Sequence, residues 1–257
     1  MKTPRFLLAA CVSLALALTF SCSSDDDAGG NTGGSGGGGT LNGTGGALNP
    51  CSGAVTGNGT VSCGGKTYNT VPIGDQVWMK ENLDYDVPNS ATDVCYGNDP
   101  SNCVTYGRLY NWATAMNLPS DCNSGTCSEQ IKTKHRGICP DGWHIPSKAE
   151  WGRLFTYVRG INGRISGNLK AKTGWYDCGP SGLEGNKLCE DIYGFSALPG
   201  GFGYSDGGFN DVGTVGYWWS VSEDGYAYYT AMFSYSQDTG YNYGNQTSLR
   251  SVRCVQD

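Results

Sequence analysis

Histidine is scarce in this chain, and its cysteines lack the spacing of metal sites. The 257 residues include only two histidines, and none of the twelve cysteines forms a Cys-x-x-Cys pair, which is a common half of a zinc site. The carboxylates show no spacing typical of an acid–base pair. We therefore expect no metal, no cofactor, no catalytic residue and no enzymatic activity.

The two histidines have structural interpretations. His144 follows Trp143 and precedes a predicted helix, so we expect its ring to pack beside Trp143 and to cap local backbone. His135 lies between two basic residues, which predicts a position on an exposed loop.

Positive charge and long apolar runs are also limited. The formal net charge is −6, whereas nucleic acids and anionic headgroups favour basic patches, so we expect no nucleic-acid partner. The one long apolar run, Phe6–Phe20, spans about 15 residues, and a membrane-spanning helix needs roughly 20.

The N-terminus has the form of an export signal. Two basic residues precede the apolar run, as in secretory signal peptides. The segment Leu18–Cys22 resembles a bacterial lipoprotein cleavage box, although Thr19 stands where such boxes usually hold Leu. We expect a signal peptide over residues 1–21 and a lipid on Cys22. The alternative is an ordinary secreted protein that is cut nearby.

A low-complexity segment follows Cys22. The acidic stretch Ser24–Asp27 resembles the signal that sends some Bacteroidetes-type lipoproteins to the outer face of the outer membrane, but it also suits a solvated linker. Residues 28–46 are mostly Gly with Asn, Thr and Ser, a composition that cannot bury apolar area. We expect a flexible tether over residues 22–50 and a single domain over residues 51–257.

Cys11 lies in the predicted signal peptide and Cys22 is expected to carry lipid, so ten cysteines remain. An even number in an exported chain predicts about five disulfides. Connectivity does not follow from the sequence. Short separations suggest the pairs 51–63, 95–103, 122–127 and 178–189, which leaves 139 and 254. The cysteines involved are Cys51, Cys63, Cys95, Cys103, Cys122, Cys127, Cys139, Cys178, Cys189 and Cys254.

Periodicity predicts two helices and several strands. Tyr106–Met116 has apolar residues at helical spacing. A second helix begins at the capping box of Ser147 and Glu150 and is expected to end at Gly160. Lys66–Met79 reads as a hairpin with a turn at Gly74-Asp75, and residues 217–221, 227–233 and 251–255 read as strands. This order of elements predicts an α+β fold.

Four segments of the chain resemble the Fibrobacter succinogenes major paralogous domain, in that family's order and over roughly residues 64–256. They are Gly74–Leu83, Tyr106–Trp112, Gly137–Ser147 and Ser251–Val255. The resemblance implies a surface or secreted bacterial protein. It also implies a C-type lectin-like domain with two helices, short antiparallel sheets, long loops and about five disulfides, and it supports pairing Cys139 with Cys254. No general biochemical activity is established for that family.

The family's relatives suggest two activities that this chain does not match. The sulfatase-modifying relatives carry a closely spaced pair of free reactive cysteines, whereas bridges explain the cysteines here. Calcium-dependent lectins carry Glu-Pro-Asn or Gln-Pro-Asp and Trp-Asn-Asp runs, which are missing from this sequence. Calcium needs several oxygen ligands, so we predict no calcium site, although Asp206, Asn210 and Asp211 suit a structural ion.

The C-terminal third is rich in tyrosine, serine and asparagine, the composition of antibody binding loops. Strand alternation lets Tyr228 with Thr230, or Tyr229 with Ala231, face outward, but not both sets. We expect one of the adjacent tryptophans, Trp218 or Trp219, to be buried. The predicted ligand-binding residues are Tyr204, Trp219, Tyr226, Tyr228, Tyr235, Tyr241, Asn242, Tyr243 and Asn245.

These features together predict a lipid-anchored protein exposed on the bacterial outer membrane. Its function would be non-catalytic and adhesin-like binding, with polysaccharide ahead of a surface protein as the ligand. One alternative is a recognition domain diversified by a retroelement, which would bind a protein or host ligand. Another is a structural surface or pilus component.

Overall fold

The computed structural model describes residue 51 and residues 56–57, 59–125, 127–178, 188–221 and 227–257. The predicted signal peptide, the predicted tether, Cys22 and Tyr226 lie outside these ranges. The described residues belong to one compact unit. Among their helices, none has the length and apolar character that crossing a membrane requires.

The α+β prediction is confirmed, but the described residues contain four α-helices instead of two. The helices are α1 (Pro100–Tyr106), α2 (Trp112–Met116), α3 (Lys148–Asn162) and α4 (Ser166–Leu169). The strands are β1 (Thr56–Gly57), β2 (Thr60–Cys63), β3 (Lys66–Ile73), β4 (Gln76–Met79), β5 (Asp93–Val94), β6 (Leu109–Tyr110), β7 (Trp143–His144), β8 (Gly200–Gly203), β9 (Phe209–Val212), β10 (Val215–Ser220), β11 (Tyr228–Phe233), β12 (Thr239–Tyr243) and β13 (Val255–Gln256).

The strands form two main sheets and one short pair. The first sheet has the order β1-β2-β3-β4-β13-β7, the second β12-β11-β10-β8-β9, and β5 pairs with β6. The predicted hairpin of β3 and β4 is confirmed, with Gly74 at φ = 65° in its turn, a conformation that favours glycine.

Two of the three C-terminal strand predictions are confirmed with shifted ends. They are β10 and β11, which are antiparallel neighbours. The third, over residues 251–255, is largely wrong because only Val255 and Gln256 pair regularly, with β4 and β7. Ser251 instead forms an isolated bridge to Trp218, so the last segment crosses between the two sheets.

The predicted helix over Tyr106–Met116 is broken into α1 and α2. Gly107 causes the break: it has φ = 77°, and a Cβ there would lie 2.8 Å from the Cβ of Asn82 and 2.9 Å from the carbonyl oxygen of Leu83. Asn111 then caps the new helix, since its side-chain oxygen accepts a hydrogen bond from the N–H of Thr114 at 2.8 Å. The residues with helical spacing are therefore helical only on either side of the break, in α1 and α2.

The predicted capping box of α3 is confirmed, and its predicted end is wrong. Ser147 and Glu150 satisfy each other's backbone N–H groups. Gly160 lies inside the helix, which ends at Gly163 in the left-handed conformation.

Five disulfides join the predicted pairs, including Cys139 with Cys254 across a separation of 115 residues. That bridge joins the segment before β7 to the segment before β13. Buried aromatic side chains fill the space between the sheets and α3. Trp78 and Trp151 are fully buried, with ring centroids 4.7 Å apart, so the core around the helix is built from tryptophan.

Candidate functional site

Four aromatic side chains form a continuous row across the second sheet, and we call them the aromatic row: Tyr204, Phe202, Tyr217 and Tyr229. Their successive ring centroids are 4.7, 5.4 and 5.7 Å apart, at interplanar angles of 66°, 76° and 70°. Aromatic pairs favour this edge-to-face geometry. Tyr204 is 44 % exposed and the other three are half-buried, so the row presents an aromatic surface to solvent.

Strand pairing places these rings on one face. Trp219 of β10 lies opposite Tyr229 of β11, and Tyr217 lies opposite Ala231. Because side chains two residues apart share a face, Tyr217 and Tyr229 point the same way. Asn242 of β12 lies opposite Tyr229 and is exposed, so an amide extends the row by one strand.

Polar groups flank the aromatic row. The Tyr217 hydroxyl donates a hydrogen bond of 2.7 Å to a carboxylate oxygen of Asp211. Burial, followed by this carboxylate, raises the pKa of Tyr217. Exposed Asn245 lies near Tyr229, because Arg250 contacts both residues. The Asn245 side-chain oxygen accepts hydrogen bonds from the N–H and hydroxyl of Thr247 at 3.0 and 2.9 Å.

A buried guanidinium lies directly beneath the row. The Cζ atom of Arg250 is 4.2 Å from the ring centroid of Tyr229, 4.3 Å from that of Trp219 and 6.0 Å from that of Phe202. Arg250 is only 6 % exposed, and burial lowers its pKa to about 10. Arg250 is not among the predicted site residues. Its signal in the sequence is a charged residue between the apolar residues Leu249 and Val252.

The prediction for the adjacent tryptophans needs correction, because both Trp218 and Trp219 are fully buried. The Trp218 indole N–H donates to the side-chain oxygen of Asn82 at 2.8 Å, and that of Trp219 donates to the backbone oxygen of Tyr110 at 2.7 Å. β10 lies in the middle of its sheet and is covered on both sides. Trp219 shares its face of the sheet with Tyr217 and Tyr229, but it is fully buried and presents no ring to a ligand.

Three of the predicted tyrosines lie on the opposite face of the sheet. Tyr228 and Tyr243 have ring centroids 6.4 Å apart, and the ammonium of Lys148 lies 5.3 Å from the ring centroid of Tyr228. Tyr241 packs on Phe155 of α3 with a centroid distance of 5.5 Å. Its hydroxyl is buried without a hydrogen-bond partner, and it lines a cavity of about 370 Å³.

The tyrosine-rich tract is thus divided between two faces. Neither Tyr228 nor Tyr229 is fully exposed, since both are half-buried while Thr230 and Ala231 are buried. Tyr235 is 66 % exposed in the turn after β11, beside Phe233 at 5.6 Å. Of the predicted ligand-binding residues, only Tyr204, Asn242 and Asn245 lie at the aromatic row with an exposed side chain.

His144 binds two carboxylates and does not cap local backbone, which corrects the prediction. Its Nδ1 lies 2.6 Å from a carboxylate oxygen of Asp257, and its Nε2 lies 2.9 Å from one of Glu150. Burial alone would raise the pKa of Glu150, but hydrogen bonds from His144 and Ser147 outweigh it and lower that pKa to about 2. The imidazole therefore reinforces the cap of α3.

His135 is buried, so the predicted exposed loop is wrong. Its Nε2 lies 2.8 Å from the backbone oxygen of Met116, and its Nδ1 accepts the N–H of Lys132 at 3.3 Å. Burial lowers the pKa of His135. Both ring nitrogens thus hold the loop against the end of α2. Among the residues that the structure describes, no group of three or more His, Cys, Asp or Glu side chains could hold a metal ion.

Comparison with known proteins identifies one family. The family model described as the Fibrobacter succinogenes major domain matches residues 71–256. No curated protein matches the chain, and no solved structure matches it. The lectin-like part of the fold prediction therefore stays a prediction.

Proposed function

The chain belongs to the Fibrobacter succinogenes major domain family, and on that premise we propose that it is a non-catalytic, adhesin-like ligand-binding module whose ligand is a polysaccharide. The observation that carries this proposal is the aromatic row. Exposed or half-buried rings with polar neighbours are the usual composition of non-catalytic recognition surfaces, since rigid aromatics supply contact area at low entropic cost.

The shape of the row favours an extended ligand. Phe202, Tyr217, Tyr229 and Asn242 lie on four neighbouring strands, and three strand spacings amount to about 14 Å. Sugar rings carry apolar C–H faces that stack on aromatic rings, and their hydroxyls need hydrogen-bond partners. Asp211, Asn242 and Asn245 offer such partners along the row.

Retention on insoluble glycans tests this function. Cellulose, insoluble xylan and pectin coupled to beads would be mixed with the purified protein, with a Tyr204→Ala variant and with a Tyr204→Ala/Tyr229→Ala variant. We expect the wild type to be retained on at least one glycan and each substitution to weaken retention. Tyr243→Ala is the matched control, because this exposed tyrosine lies on the opposite face of the same hairpin.

We further propose that the module is attached to the outer face of the bacterial outer membrane through a lipid on Cys22, with residues 22–50 as a tether. The lipoprotein-like segment before Cys22 supports this anchor. Metabolic labelling with an alkyne fatty acid should mark the wild type and leave Cys22→Ser unlabelled. If the Cys22→Ser variant is still labelled, the proposed lipid anchor on Cys22 is contradicted.

A further inference from the structure

Arg250 differs from the other deeply buried cations of the described residues in what surrounds its charge. Arg253 is fully buried, but its guanidinium donates to the side-chain oxygen of Asn82 at 2.7 and 3.1 Å and to a backbone oxygen. The ammonium of Lys170, also fully buried, donates to three backbone oxygens at 2.8, 2.9 and 3.1 Å. These two cations are satisfied by the fold itself.

Arg250 has much weaker polar contacts. Its Nε is buried without a hydrogen-bond partner. Its Nη1 reaches the backbone oxygen of Asn245 only at 3.4 Å, and the hydroxyls of Tyr229 and Tyr217 are its other polar neighbours. Among the described residues, no carboxylate forms an ion pair with Arg250, and none is among the groups that shift its pKa. The guanidinium is therefore buried against the aromatic row without a counter-charge from the residues that the structure describes.

A buried charge without a partner is costly, and it interacts strongly with any opposite charge that arrives nearby. The side chains stacked on Arg250 include Tyr229 and Phe202 of the aromatic row. A ligand bound on the row would thus lie next to this charge. An anionic group on the ligand would supply the missing counter-charge.

We infer that the aromatic row selects a carboxylate-bearing polysaccharide, and that Arg250 is the group that sets this specificity. This inference rests on the proposed function. The carboxylate of the ligand lies beside Tyr229 and Asn245, next to Arg250. The Asp211 carboxylate, bonded to Tyr217, repels anions from the neighbouring part of the row, which takes neutral sugar hydroxyls.

The overall charge of the protein makes the preference diagnostic. With a net charge of −6, the chain as a whole repels a polyanion, so nonspecific ion exchange opposes binding. A preference for the acidic polymer must therefore come from a local positive group. Arg250 is such a group, placed behind the surface that we assign to the ligand.

Two forms of one polymer isolate the effect of charge. Binding of the purified protein to polygalacturonate would be compared with binding to its fully methyl-esterified form, by affinity electrophoresis or calorimetry at low and high salt. The wild type should bind the acid at least about ten-fold more tightly than the ester, because only the acid gains a Coulomb interaction with the buried charge of Arg250. This comparison requires no variant.

Substitutions assign the preference to a residue. Arg250→Gln keeps a planar group between the two rings and should abolish the preference for the acid while the ester still binds, whereas Arg250→Lys should keep part of it. Lys148→Gln is the matched control, because it removes the same charge above Tyr228 and Tyr241 on the opposite face. It should leave the preference unchanged.

The outcomes separate the inference from the proposed function. Equal binding of acid and ester by the wild type would overturn the role of Arg250 and leave the glycan-binding face intact. A preference that Arg250→Gln and Lys148→Gln reduce equally would also overturn that role. If the protein binds neither these polymers nor the other glycans, the proposed function fails and the inference fails with it.

Discussion

At the scale of single residues, Glu150 takes part in both the helix cap with Ser147 and the hydrogen bond with His144. It accepts the N–H and hydroxyl of Ser147, both at 2.8 Å, and it accepts a hydrogen bond from the imidazole of His144. Because its pKa is lowered from 4.5 to about 2, the folded state binds this proton less readily than the unfolded state does. The resulting stability is present above pH 4.5 and is lost as the pH falls toward 2.

We predict that Glu150→Gln lowers the free energy of unfolding at pH 7 by about 1–3 kcal/mol. The variant should also lose part of the decline in stability between pH 4.5 and 2. Urea titrations of both proteins at several pH values would measure this. Asp206→Asn, on an exposed turn, is a control that should change little. If Glu150→Gln loses as much stability between pH 4.5 and 2 as the wild type does, Glu150 is not the cause of that decline.

Several residue-scale features were beyond the reach of the sequence. Periodicity indicates that Trp218 and Trp219 lie on opposite faces of a strand, but it does not show that both faces are covered. The burial of Arg250 and His135 likewise depends on contacts with segments far away in the chain. The exposed positions of Tyr204, Asn242 and Asn245 are easier to predict, because polar or aromatic residues in a Gly-, Ser- and Asn-rich tract need no distant partner. Their role in ligand binding stays a prediction.

At the scale of elements, predictions from residues that are close in sequence agree better with the structure than those that depend on distant contacts. The cap of α3 was predictable because its two partners are three residues apart, and the β3–β4 hairpin because its turn residues are adjacent. Gly107 shows the limit: its close approach to Asn82 and Leu83 breaks a helix that local spacing favours. Gly160 shows the converse, since a glycine need not end a helix when Gly163 does so three residues later.

The cap of α3 gives the element-scale prediction. Ser147→Ala should lower the free energy of unfolding by about 1 kcal/mol, because the Ser147 hydroxyl accepts the Glu150 N–H. Thr156→Ala on the exposed face of the same helix should cost less, since its hydroxyl bonds only to a carbonyl within the helix. Thermal melts at one pH would compare the two. Equal losses would contradict a specific role for the cap.

At the scale of the whole molecule, the Cys139–Cys254 bridge closes the longest disulfide loop of the described residues, with a separation of 115 residues. Replacing both cysteines by alanine should lower the free energy of unfolding by about 5 kcal/mol in the chain-entropy model, because the loop is long. Removing Cys95–Cys103, with a separation of 8 residues, should cost about 2.5 kcal/mol in the same model. Denaturant titrations under non-reducing conditions would measure both. A larger loss from the short bridge would contradict this order.

The overall class of the molecule was predictable because it follows from the order of elements and from the even count of cysteines expected to form disulfides. The crossing of residues 249–255 between the two sheets was not, since it depends on single bridges such as Trp218 to Ser251. The same crossing brings Arg250 beneath the aromatic row. The candidate site therefore depends on the tertiary arrangement of the chain more than on its tyrosine-rich tract.

Retention on insoluble glycans decides whether the aromatic row is a ligand-binding face. We predict that the wild type and Tyr243→Ala are retained on the same glycan, and that the folded Tyr204→Ala/Tyr229→Ala variant is not. If no glycan retains the wild type, or if the two variants lose retention equally, carbohydrate binding by the row is contradicted.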